Sequence, residues 1–172
     1  LPIFLTGTIL HGNVLHLVSS LSLLWILGLP LERRYGWWRM ASLYTVLAVG
    51  SSAAQYLSGG VGIGMSGVLY GYFGLSLAAG RSVLGPRSRL WPLLVIAMLV
   101  LFVMGIAMPA RGAYRVGNVS HVAGSVIGFA LGCALRAERP LKWLAAIGLV
   151  SISLAPATLY MPWSYWWWNH RA

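Results

Sequence analysis

The sequence predicts an all-α, polytopic membrane protein, a helical bundle with about six transmembrane helices. Three observations lead there. Hydrophobic residues make up 59% of the 172-residue chain and charged residues 8%, with mean hydropathy +0.78. A soluble domain carries roughly 25% charged residues, so these few cannot coat a water-facing surface. The apolar residues fall in long runs, and the basic residues cluster in the short links between them, where topology determinants belong.

The runs set the expected helices at about 11–31, 38–57, 66–80, 90–108, 117–135 and 141–160. The first carries His11, His16 and Ser20. The second ends at a glycine-rich link, Ser58 to Met65. The third is short for a span of about 20 residues, so it is expected to start below the membrane surface with Ser66 in its first turn. The fourth is almost wholly apolar. The fifth carries Ser120 and His121 near its start, then Gly124, Gly128 and Gly132, a small-residue ridge that favours close helix packing. Cys133 lies in the same run and is expected to be a small buried residue. As the lone cysteine it excludes an internal disulfide framework. The sixth run precedes Trp163, Tyr165, Trp166, Trp167 and Trp168, which have the composition of an interfacial belt. Leu1 to Leu10 lacks the basic start of a signal peptide. The whole of 1–172 is expected to form a single membrane domain.

Twelve Lys and Arg face two acids, a net charge of +10. Nucleic acid is excluded as a partner, because the basic residues form no face or stripe. They sort by side instead. The first, third and fifth links hold Arg33, Arg34, Arg39, Arg81, Arg87, Arg89, Arg136, Arg139 and Lys142. The opposite side holds Arg111, Arg115 and Arg171. Such a bias is expected to place the arginine-rich links inside. The first, third and fifth helices then run inward, and their starts lie in the outer half of the bilayer.

That topology brings His16, Ser66 and His121 to similar depth at about 1.5 Å of rise per residue. Ionisable residues within a span mark functional sites by default. The only acids, Glu32 and Glu138, fall at inside ends. Paired-carboxylate chemistry and a Ser-His-Asp triad are therefore excluded. A Ser–His dyad remains, in which His121 takes the Ser66 proton during attack on a carbonyl and returns it to the leaving amine. The helix start after Gly64, with Gly67, offers free N–H groups for an oxyanion. His16 can add a side-chain donor, and Ser20 shares its helix face. The bland readings are a helix-capping Ser66 and structural histidines. Zinc is disfavoured, because His11 and His16 are five residues apart, a poor spacing on one helix face.

Four segments resemble the rhomboid family. Gly64-Met65-Ser66-Gly67 is similar to its G-x-S-G motif. His11-Gly12-Asn13-Val14-Leu15-His16-Leu17-Val18-Ser19-Ser20 resembles H-x₄-H-x₃-N. Glu32-Arg33-Arg34-Tyr35-Gly36 resembles the E-(R/K)-x-x-G that closes the same helix. His121-Val122-Ala123-Gly124-Ser125-Val126-Ile127-Gly128 resembles the H-x-x-G-x-x-x-G helix. The resemblance implies a rhomboid-like bundle in which 11–136 supplies the second to sixth family helices and 141–160 an added one. The first family helix would lie outside the sequence.

It further implies intramembrane proteolysis of single-span membrane proteins within the lipid bilayer, without a cofactor. Ser66 would be the nucleophile and His121 the base. His16, Ser20 and Gly64 would serve the oxyanion, and Tyr70 would pack on the His121 ring. His11, Gly67, Gly124 and Gly128 would support them. The fourth helix and the link before Ser66 would be candidate gates. The expected location is a bacterial plasma membrane, with the site toward the outer face. Two departures stand out. Ser20 replaces the family Asn, and the Trp-Arg pair common before the first run is absent. The alternative reading is a non-catalytic rhomboid-like protein that binds client transmembrane segments. A small transporter is disfavoured by the scarcity of ionisable residues and of any inverted repeat.

Overall fold

The computed structural model describes residues 2–58, 62–78, 90–107 and 117–136. Among them every regular element is helical. The chain is an all-α membrane bundle of the expected class. The predicted helix 141–160, the aromatic cluster after it, and most of the sorted arginines beyond Arg39 lie outside the described residues.

A short helix, α1 (Pro2–Ile9), opens the chain and was not anticipated by the run pattern. Phe4 packs beside Ala53 and Tyr56 of α4 (Trp37–Leu57). Thr8 meets the Tyr44 hydroxyl at 2.8 Å. The next helix starts at Val14 rather than at His11. Asn13, extended at φ −161°, caps it by accepting the His16 N–H at 2.8 Å, the usual work of an Asn N-cap. His11 therefore sits before the helix, not on it.

This helix comprises α2 (Val14–Leu23), a π-helical stretch (Leu24–Gly28) and α3 (Leu29–Tyr35). Pro30 accounts for the widened turn, since it lacks an N–H and its ring crowds the carbonyl four residues back. The helix runs past the apolar run's end at Leu31 and stops at Gly36, where the Glu32–Gly36 segment was expected to close it. The φ there is +81°, and the Gly36 N–H donates to the Glu32 carbonyl at 2.7 Å, a glycine C-terminus.

At the centre lies α5 (Ser66–Ala78), which buries ten of its 13 residues. At about 20 Å it is shorter than a bilayer core. It packs on α7 (Asn118–Arg136) through glycines. A Cβ on Gly124 would strike the Gly67 carbonyl, one on Gly128 the Gly71 carbonyl, and one on Gly132 would approach Leu75. The pairs rise together along both helices, so α5 and α7 run parallel. α4 runs antiparallel beside them, with Ser51 against Gly67 and Leu47 against Gly71. Leu27, Leu31, Leu47, Val68, Leu75 and Met98 complete the core. The last of these comes from α6 (Leu90–Ala107).

Among the described residues two helices, Val14–Tyr35 and Asn118–Leu135, are long and apolar enough to cross a membrane, and Trp91–Val103 is a shorter apolar helix. Their outward faces are apolar too. Leu93, Ile96, Val100 and Val103 are exposed at helical spacing on α6, as are Val119, Val122, Val126 and Phe129 on α7. Lipid, not water, suits such faces. Cys133 belongs to the exposed side of α7, which corrects the expectation of burial. Gly132 has the neighbouring position that faces α5.

Candidate active site

The α5 start is built by backbone geometry. Gly64 has φ +98°, a left-handed conformation that glycine adopts without penalty. A Cβ there would also lie 2.6 Å from His16 Cε1. The Gly64 N–H donates to the Gly7 carbonyl of α1 at 2.9 Å. The Met65 carbonyl accepts the Leu69 N–H at 3.0 Å, which makes Ser66 the first residue inside the helix. The Ser66 hydroxyl is thus not an N-cap. It lies 2.8 Å from His121 Nε2.

His121 is 5% exposed and is held on three sides. Its backbone N–H donates to the Gly117 carbonyl at 3.1 Å. Its ring stacks on Tyr70, with centroids 4.3 Å apart and planes at 18°. Its Nε2 faces Ser66. With Ser66 donating, Nε2 accepts and the ring proton sits on Nδ1. Among the described residues Nδ1 is buried without a hydrogen-bond partner, and no carboxylate among them orients the ring. Packing does that work instead.

The other expected residues lie as follows. His16 lies with its ring edge on Gly64. His11 meets His16 edge-on at 4.9 Å and contacts the Ile9 carbonyl through Nδ1 at 2.9 Å. Ser20 is buried on α2, one turn beyond His16. The expectation that Gly64 donates to an oxyanion meets a correction: its N–H is already engaged by Gly7. What Gly64 supplies is room for His16. The first-turn N–H groups of Ser66 and Gly67 have no partner within the helix and remain as donors. Gly67, Gly124 and Gly128 serve the close α5–α7 approach.

Three α4 residues beside the pair, Ser51, Ser52 and Gln55, were not anticipated. Gln55, 7% exposed, accepts the Ser120 N–H at 3.1 Å through Oε1. This ties α4 to the turn before His121. Ser51, Ser52, Gln55, Gly117 and Ser120 line a small polar cavity reaching Ser66, with a volume of about 20 Å³, enough for about one water. The visible signal was the polar set Ser51, Ser52 and Gln55 at helical spacing on the outer end of a membrane helix. Among the described residues no cluster of His, Cys, Asp or Glu is placed to hold a metal ion.

Compared with known proteins, residues 3–138 match the model of the Rhomboid domain. RHOMBOID-like protein 6, mitochondrial, of Arabidopsis thaliana is 29% identical over 142 residues, covering 81% of this chain and 45% of that protein. Rhomboid-type serine protease 2 of Emericella nidulans is 30% identical over 149 residues, with shares of 81% and 28%. Rhomboid protease GlpG of Serratia proteamaculans is 34% identical over 120 residues, with shares of 69% and 42%. The chain spans less than half the length of each of these relatives.

Proposed function

The chain belongs to the rhomboid family, and on that premise we propose that it is an intramembrane serine endopeptidase that cleaves single-span membrane proteins with a Ser66–His121 dyad. The observation that carries the reading is the 2.8 Å contact between Ser66 Oγ and His121 Nε2. That is the reach a general base requires. Two relatives carry protease names, which supports the same chemistry.

The steps follow from the groups present. His121 Nε2 takes the Ser66 proton as Oγ attacks the scissile carbonyl carbon. The carbonyl oxygen becomes an oxyanion, held by the Ser66 amide, the His16 side chain and Ser20. Collapse breaks the C–N bond, and His121 gives its proton to the leaving amine. A water then attacks the acyl-Ser66 ester, with His121 again as base. The polar cavity by Gln55 and Ser51 can hold that water next to the bond it cleaves.

The non-catalytic alternative draws on Ser20, a shorter donor than the family Asn. Against it stands the hydrogen-bonded Ser–His pair, which a client binder has no use for. Residues 1–172 are read as one domain, with the site open toward the outer face by the charge bias. The protein is an integral membrane protein. Its relatives come from a plant, a fungus and a bacterium, one of them named mitochondrial, so the expected bacterial plasma membrane gains no support from them. The test is cleavage of a model single-span substrate by purified protein in liposomes. Ser66→Ala is expected to abolish cleavage while leaving the protein folded. Unchanged cleavage would sink the dyad.

A further inference from the structure

Tyr70 holds on to two things. Its ring stacks on His121. Its hydroxyl donates to the Met98 carbonyl of α6 at 2.6 Å. Both residues are buried, Tyr70 at 7% exposure and Met98 at 1%. A buried phenol must find an acceptor, and a helical carbonyl has a second lone pair free for one. The bond therefore fixes α6 in depth and rotation relative to the Tyr70 ring.

Among the described residues α6 has little else to hold it. Leu94 and Met98 are its buried apolar residues, Trp91 and Phe102 pack at the edge of the core, and the opposite face is exposed. Phe102 meets the Tyr70 ring edge-on at 6.4 Å. A shift of α6 thus acts on Tyr70 first. Among the described residues His121 has no partner on Nδ1 to resist the change. Its orientation depends on the stack and on Ser66.

We infer that the Tyr70 hydroxyl is a positioning group that registers His121 to α6, so that the placement of α6 sets the alignment of the base with Ser66. Met98 takes part through its backbone alone, so side-chain changes there leave the acceptor in place. The inference rests on the dyad reading and assigns α6 a part in it. A substrate or lipid that displaces α6 would detune the base from a distance.

The experiment uses the purified full chain and the rate of Ser66 phosphonylation by a small fluorophosphonate. Tyr70→Phe keeps the ring and removes the bond. It is expected to lower the maximal labelling rate about tenfold, with the probe concentration for half-maximal rate unchanged, since misplacing a reacting group costs rate rather than binding. Leu94→Ala, which loosens α6, should slow labelling when Tyr70 is present and add nothing to Tyr70→Phe. An equal effect of Leu94→Ala in both backgrounds, or full-rate labelling of Tyr70→Phe, would overturn the inference. A second readout needs no catalysis. The chain has four histidines, so ¹⁵N-histidine NMR resolves His121 by comparison with His121→Ala. Its ring signals should shift in Tyr70→Phe and in Leu94→Ala. Unmoved signals in both variants contradict the tie even if the wild type never labels, whereas shifted signals without any labelling retain the tie and reject the dyad.

Discussion

Ser66 and His121 stand 55 positions apart and meet at 2.8 Å because each lies in the first turn of its helix and α5 and α7 run parallel. The expectation that they meet came from the charge bias and helical rise. The details that align the pair were not legible in the sequence. Asn13 removes His11 from the helix, and the Gly64 amide is spent on Gly7. Both depend on loop backbone, which periodicity does not encode. Gln55 escaped notice because one amide near a helix end has many bland roles. Only the packed structure places it on the Ser120 N–H. Two outcomes belong to this scale. Gly64→Ala combines a strained φ of +98° with a Cβ against His16. It should cost about 1–2 kcal/mol of stability and slow Ser66 labelling by about tenfold or more, measured by thermal melts and fluorophosphonate kinetics. If the proposed oxyanion site includes position 20, Ser20→Asn supplies a longer donor there and should speed labelling severalfold. An unchanged rate would place Ser20 outside the hole.

At the scale of elements, the joint between α5 and α7 decides whether the pair meets at all. In lipid, helices associate through close packing and not through hydrophobic burial, so glycine carries unusual weight. The ridge Gly124, Gly128 and Gly132 was visible as a repeat, and its partners Gly67 and Gly71 lie on α5. Gly128→Val places a branched side chain against the Gly71 backbone. It should destabilise by about 3 kcal/mol and abolish labelling, read as a lower melting temperature together with loss of probe incorporation. Unaltered melting would mean that the helices do not pack here. The elements that sequence reading missed have local causes. α1 is eight residues long, too short for a periodic signal. The helix beyond Leu31 continues because a π turn absorbs Pro30, an accommodation that proline alone does not announce. Cys133 faces outward because a hydrophobic run in a membrane protein does not mark the core. Lipid-facing and buried positions are equally apolar.

At the scale of the molecule, the inverted logic of a membrane fold organises everything. The polar residues gather at one end of the centre, around Ser66, His121 and Gln55, while the apolar side chains of α6 and α7 face out. The arginines of the turn around Gly36 lie at the far ends of α3 and α4. On the proposed topology the Ser66 end faces outward and the arginine turn inward. In a Cys133→Ala background, a cysteine replacing Ser58 should react with an impermeant maleimide from the outer face, and one replacing Arg34 only from the inner face. Reaction of both from the same side would contradict the topology.

Activation of Ser66 by His121 can be read out by fluorophosphonate labelling of detergent-purified protein. Labelling is expected of the wild type at Ser66, and none in Ser66→Ala or His121→Ala. Folded wild type that fails to label, or His121→Ala that labels as well as wild type, would contradict it.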